Sequence, residues 1–212
     1  MIIITYTMQL LLTSSNYKLC IGTASIIQLL YMYHMYHEGI SFYWNLSGIV
    51  MFTWSEYIYH RFILHYTNDS RLYYYLHGKH HLKPHSKSIH TPILYTIMMN
   101  IMYYYLLSSM SYRAAVNMMC TNQFCYIIFE HLHMEAHHPY FFNNDDTFRI
   151  SHLYHHTHNK KIAYAFSTPT WDIVFGTFPH DVLTYNWFAL LPIPLLSYYI
   201  GTAPHTKTIS SS

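Results

Sequence analysis

Twice along its 212 residues the chain carries the pattern His-x-x-His-His, first as His77, His80 and His81 and again as His152, His155 and His156. Two spaced pairs accompany these triplets, His60 with His65 and His133 with His137. Residues three and four apart on a helix share one face at about 5–6 Å, so each triplet projects three imidazoles in one direction and the His133/His137 pair projects two. The His60/His65 pair fits less well, because five residues at 3.6 per turn make about 500° of rotation, and it is expected to straddle a helix end. Neutral imidazole is a borderline ligand suited to iron, copper, nickel and zinc. Ten such groups exceed what one ion uses. Shared between two ions they supply about five each and leave room for a reacting molecule. No catalytic residue is expected beyond these ligands.

The other histidines carry less information. A lone histidine on an apolar face is ordinarily a hydrogen-bonded core or boundary residue, and His34, His37, His180 and His205 are read so. His85, His90, His131, His138 and His158 stay open between a supporting role and accident. Carboxylates offer a competing centre, since Glu130-x-x-His133 and Glu135-x-x-His138 match the Glu-x-x-His of carboxylate-bridged di-iron bundles. Those bundles draw the two motifs from different helices, whereas here both fall on one segment of a chain with four glutamates. Glu56 and Glu130 are instead expected to accept N–H groups from ligand imidazoles and orient them.

Composition decides where these histidines are expected to sit. Charged residues make up 9% of the chain and apolar ones 52%, against about 25% charged in an ordinary soluble domain. Disorder is excluded by the apolar content. A disulfide framework is excluded by three scattered cysteines, and nucleic-acid binding by the lack of a basic stripe. A bilayer span needs about 17–25 apolar residues. Uncharged runs at 19–37, 39–55, 92–110 and 114–129 meet that length approximately and pair as two hairpins. Residues 1–17 lack the basic start and cleavage site of a signal peptide. Pro192 and Pro194 break the apolar stretch 183–201, which reads as interfacial or packed, and the tail reads as loose.

The expected fold is therefore an all-α integral membrane domain. About four spanning helices in two hairpins carry a histidine-rich helical cap. An even number of spans separates the two histidine regions, which places both on one side of the membrane. Most Lys and Arg lie with them, so that side is expected to be cytosolic. The organisation reads as N-terminal membrane helices over 1–52, a histidine-bearing domain over 53–182 and an apolar C-terminal segment over 183–212. A metal transporter or a simple zinc-binding membrane protein is the remote alternative. Transporters put their ligands within broken spans at the midplane, while these clusters flank the runs.

The stretches TWSEYIYHRFILH (53–65), YYYLHGKHH (73–81), FEHLHMEAHH (129–138), SHLYHH (151–156) and STPTWDIVFGTFP (167–179) resemble the membrane fatty acid hydroxylase superfamily. They are most similar to the fatty acid 2-hydroxylases that act on sphingolipid acyl chains. HRFILH followed by LHGKHH favours that group over the related sterol desaturases and sterol oxidases; these, or a sphingoid-base hydroxylase of the same superfamily, are the alternative. The resemblance implies a multi-pass protein of the endoplasmic reticulum membrane. It also implies two iron ions, with zinc as a substitute metal, and dioxygen as co-substrate. The same likeness assigns ligation to His60, His65, His77, His80, His81, His133, His137, His152, His155 and His156, the ten already chosen by spacing. WDIVFGT holds no metal ligand and reads as packing around the site. No His-Pro-Gly-Gly haem motif precedes the domain, so a separate cytochrome b5-type donor and its reductase are expected as partners, alongside a lipid acyl substrate.

Overall fold

The structure is a computed structural model and describes residues 17–65, 74–84, 93–139 and 146–205. The chain divides into two compact units, one built from Met1–Ile49 with Asp69–His131 and the other from Val50–Asn68 with Leu132–Ser212. The expectations placed on residues 1–16, on His85 and His90, and on the tail from residue 206 lie outside the described residues.

The first unit is helical. Helix α1 (Tyr17–Glu38) and helix α2 (Phe42–Ile58) occupy the first two apolar runs. Gly39 turns the chain with φ +87°, a value that favours glycine. The carbonyls this turn exposes are satisfied from helix α5 (Tyr112–His137). Arg113 donates to Gly39 O and Ile40 O, and Asn117 donates to Gly39 O while accepting the Ser41 N–H at 2.8 Å. Gly48 lets α2 approach the α5 backbone, because a Cβ there would lie 2.6 Å from Met118 O. Helix α4 (Ile93–Leu107) and α5 occupy the third and fourth apolar runs. Between α2 and α4 comes the short α3 (Lys79–Leu82), entered through a π-helical turn over Tyr74–Gly78.

The second unit takes up the chain from Val50, within α2, which passes into another π-helical turn, Tyr59–Leu64. Helix α6 (Thr147–Thr157) buries Phe148, Ser151, His152, His155 and His156, the i, i+3, i+4, i+7, i+8 stripe of an amphipathic helix. Helix α7 (Thr170–Val174) follows an extended segment, and the prolines near the C-terminus hold apart short elements. These are β1 (Leu183–Tyr185), a 3₁₀ turn over Trp187–Leu190, α8 (Leu196–Gly201) and β2 (Thr202–Pro204). β1 and β2 pair antiparallel, Leu183 opposite Pro204, a small hairpin that an all-α reading does not contain. Leu183, Ala189 and Tyr198 are buried, so the stretch 183–201 is packed.

The membrane expectation is corrected. Among the described residues no helix is long and apolar enough to cross a membrane. The strongest candidate run, 92–110, contains a helix of 15 residues, which at 1.5 Å per residue spans about 22 Å of a hydrocarbon core about 30 Å thick. Helix α5 has length enough, 26 residues, but nothing breaks it at Glu130. It runs on through His133, Glu135 and His137, and it carries Asn117, Asn122 and Gln123 within the apolar run. Helix α1 carries Lys18, Gln28, His34, His37 and Glu38. The four spanning helices therefore fall. So does the multi-pass endoplasmic reticulum topology with cytosolic histidines, because its side assignment rested on counting spans.

Candidate metal centre

In the second unit, His60 lies in the π turn, His65 closes it, and His155 comes from α6. A π turn bonds residue i to residue i+5, and the His65 N–H donates to His60 O at 3.2 Å. Residues five apart thereby return to one face, where an α-helix would separate them. His65 Nε2 lies 3.2 Å from His60 Nε2 and 3.1 Å from His155 Nε2. The opposite ring nitrogens are held by backbone: His60 Nδ1 donates to Tyr164 O at 2.6 Å and His155 Nδ1 to Ile162 O at 2.7 Å. With those protons on Nδ1, the Nε2 atoms of both rings are lone pairs that face His65. One proton on His65 can serve only one of the two contacts, whereas a shared cation serves all three. Two nitrogens each about 2.1 Å from an ion, at right angles, lie about 3.0 Å apart, close to the spacing observed. Burial lowers the His60 pKa to about 4, against the hydrogen bond to Tyr164, so the ring is neutral as a ligand must be.

The second group of this unit joins His133 and His137 of α5 to His152 and His156 of α6. Each pair is four residues apart on its helix. His137 Nε2 lies 2.9 Å from His152 Nε2, and the His133–His152 and His137–His156 ring centroids are both 4.8 Å apart. Arg149 of α6 donates to Ala136 O at 2.8 Å and fixes the two helix ends together. Phe166 walls the group with edge contacts to His152 at 4.8 Å and His133 at 5.5 Å. In both groups the candidate ligand nitrogens lie within 4.8 Å of one another.

The first unit holds the remaining triplet. His77 sits in its π turn, with His80 and His81 on α3, and His81 Nε2 is 2.9 Å from His77 Nε2. All ten expected ligands are buried. The other described histidines are not: His34, His37, His131, His158 and His180 are exposed, and His138 and His205 are intermediate. Glu130 and Glu135 are buried but join neither metal-ligand group among the described residues. Glu56 is not bonded to an imidazole. Its Oε1 accepts the backbone N–H groups of Phe166, at 2.6 Å, and Ser167, at 2.9 Å.

Sequence reasoning passed over the segment 162–167 and its second anchor, Asp172. Asp172 Oδ1 accepts from Tyr164 N and Thr177 Oγ1, and Oδ2 accepts from Ala165 N. Burial raises the pKa of Asp172, and that of Glu56, to about 7 against these donors. Asp172 falls in WDIVFGT, where packing alone does not explain it. A fully buried carboxyl requires donors, and that requirement was the available signal.

Buried imidazoles gathered in such groups make a candidate histidine-ligated metal centre. Residues 45–177 match the family model described as fatty acid hydroxylase, and the chain belongs to that family. It is 30% identical over 143 residues to the ceramide very long chain fatty acid hydroxylase scs7 of Schizosaccharomyces pombe, covering 61% of this chain and 41% of that protein. It thus spans less than half the length of that relative. The fold is similar to the visible hydroxylase domain of full-length scs7p, with TM-score 0.67 at 22% identity over 75% of this chain and 66% of the other.

Proposed function

We propose that this chain is an oxidoreductase that replaces an α-carbon C–H of the acyl chain of a ceramide or related sphingolipid with C–OH. The balance is one C–H, one dioxygen, two electrons and two protons to one C–OH and one water. The electrons come from a cytochrome b5-type donor and its reductase. The observation that carries the reading is the gathering of buried imidazoles into groups of three and four within the second unit, joined to the family membership. The likeness to a ceramide hydroxylase supports the substrate class. By the same resemblance all ten histidines are ligands of two ions.

Two irons, when bound, supply the activation of dioxygen; zinc in the same nitrogens would not, having no redox state to use. The chain's own part is orientation and exclusion of water. Tyr164 O and Ile162 O fix the rings of His60 and His155, burial keeps His60 neutral, and Phe166, packed on Phe148 at 6.0 Å, shields His133 and His152. An apolar wall at reacting metals disfavours water over an acyl chain.

The test is mass spectrometry of sphingolipids from a hydroxylase-deficient host expressing the chain. 2-Hydroxylated ceramides are expected with the wild type and absent with H155A or H80A at equal protein level. Oxidised sterols in place of hydroxylated ceramides would reject the substrate class, and unchanged product from either variant would reject that residue as a ligand.

A further inference from the structure

The segment 162–167 uses nearly every backbone polar group it has. Ala163 N–H donates to Thr177 O at 2.8 Å, and the N–H groups of Tyr164 and Ala165 go to Asp172. Those of Phe166 and Ser167 go to Glu56. In the other direction, Ile162 O and Tyr164 O accept from the Nδ1 atoms of His155 and His60, and Ala165 O accepts from Tyr198 OH at 2.9 Å. Between the two imidazole-binding carbonyls stands Ala163 with φ +56°. A non-glycine residue persists in that left-handed region only when its surroundings over-determine it. Two buried carboxyls on different helices, α2 and α7, thus pull the N–H edge of one strap while two metal-ligand rings are held on its C=O edge.

We infer that Glu56 and Asp172 are positioning residues of the metal centre. They hold the 164–167 backbone so that Tyr164 O and Ile162 O keep the protons of His60 and His155 on Nδ1 and aim both Nε2 atoms into the site. This rests on the metal-binding reading above. The two carboxyls differ in a testable way. Glu56 makes both strap bonds through Oε1, and Oε2 has no hydrogen-bond partner, so a glutamine amide preserves the clamp. Asp172 accepts through both oxygens, so an asparagine must turn an NH₂ toward a donor. A role based on negative charge would make E56Q and D172N equally damaging.

The experiment is cobalt(II) titration of the full chain, read by visible ligand-field absorption, with circular dichroism confirming helix content. Loss of groups that orient metal ligands ordinarily weakens affinity about 10–100-fold. E56A, D172A and D172N are expected within that range and E56Q within about threefold of wild type. If E56A or D172A fails to fold, E56Q against D172N carries the test alone. Wild-type affinity in D172N, or equal weakening in E56Q and D172N, overturns the positioning role while wild-type cobalt binding leaves the metal centre standing. A wild-type chain that takes up no cobalt overturns both.

Discussion

Burial is what separates the ten candidate ligands from the remaining described histidines, and at His60 it acts through protonation. An imidazole out of water resists charge, as His60 does with its pKa lowered to about 4, and a neutral ring offers a lone pair. Glu56 shows the converse. Its pKa is raised from 4.5 to about 7 by burial, so the folded protein binds that proton more tightly than the unfolded chain. The stabilisation is fully present below pH 4.5 and is lost as pH rises through about 7. Glutamine does not titrate. The thermal midpoint of metal-free E56Q should therefore gain on that of the metal-free wild type between these pH values, followed by circular dichroism. A pH-independent difference would mean that Glu56 is not held protonated. The sequence reading expected Glu56 to accept imidazole N–H groups, and it could not show that its donors are backbone amides of residues more than a hundred positions away.

At the level of elements, hydrophobic and charge patterning located helices in all four apolar runs and the break at Gly39, but not as membrane spans. The π turns escaped it because periodicity arguments assume 3.6 residues per turn, and His60 and His65 looked mismatched for that reason. An alanine inserted after Phe62 spaces the pair six apart, beyond the five-residue return of a π turn. Such a variant is expected to lose at least one bound ion by elemental analysis of the purified protein. Close approach at Gly48 is a second feature of this scale. A methyl there would meet the Met118 carbonyl at 2.6 Å, and overpacking of this kind costs about 1–3 kcal/mol. G48A should show a lowered denaturant midpoint with an unchanged slope; an unchanged midpoint would show that α2 and α5 can separate there.

For the whole molecule, the two ions proposed here bind the folded chain and not the unfolded one. Iron(II) at a thousandfold excess over its dissociation constant then adds about 4 kcal/mol per site. Anaerobic calorimetry is expected to show a raised transition with iron(II) that a chelator reverses, and a transition indifferent to both would argue against a folded-state metal centre. The low charge content led the sequence reading to spanning helices, but Tyr36 and Phe42 are exposed on helices that also carry His37, Glu38 and Asn45. The linear sequence determined that ten imidazoles recur at helical spacings, because such spacing is a local property, set within a few residues of chain. Tertiary structure alone decided where helices stop, which turns take π geometry and which backbone carbonyls grip His60 and His155. Each of these depends on hydrogen-bond donors and acceptors brought together from distant positions, and no periodicity along one strand of chain encodes their meeting.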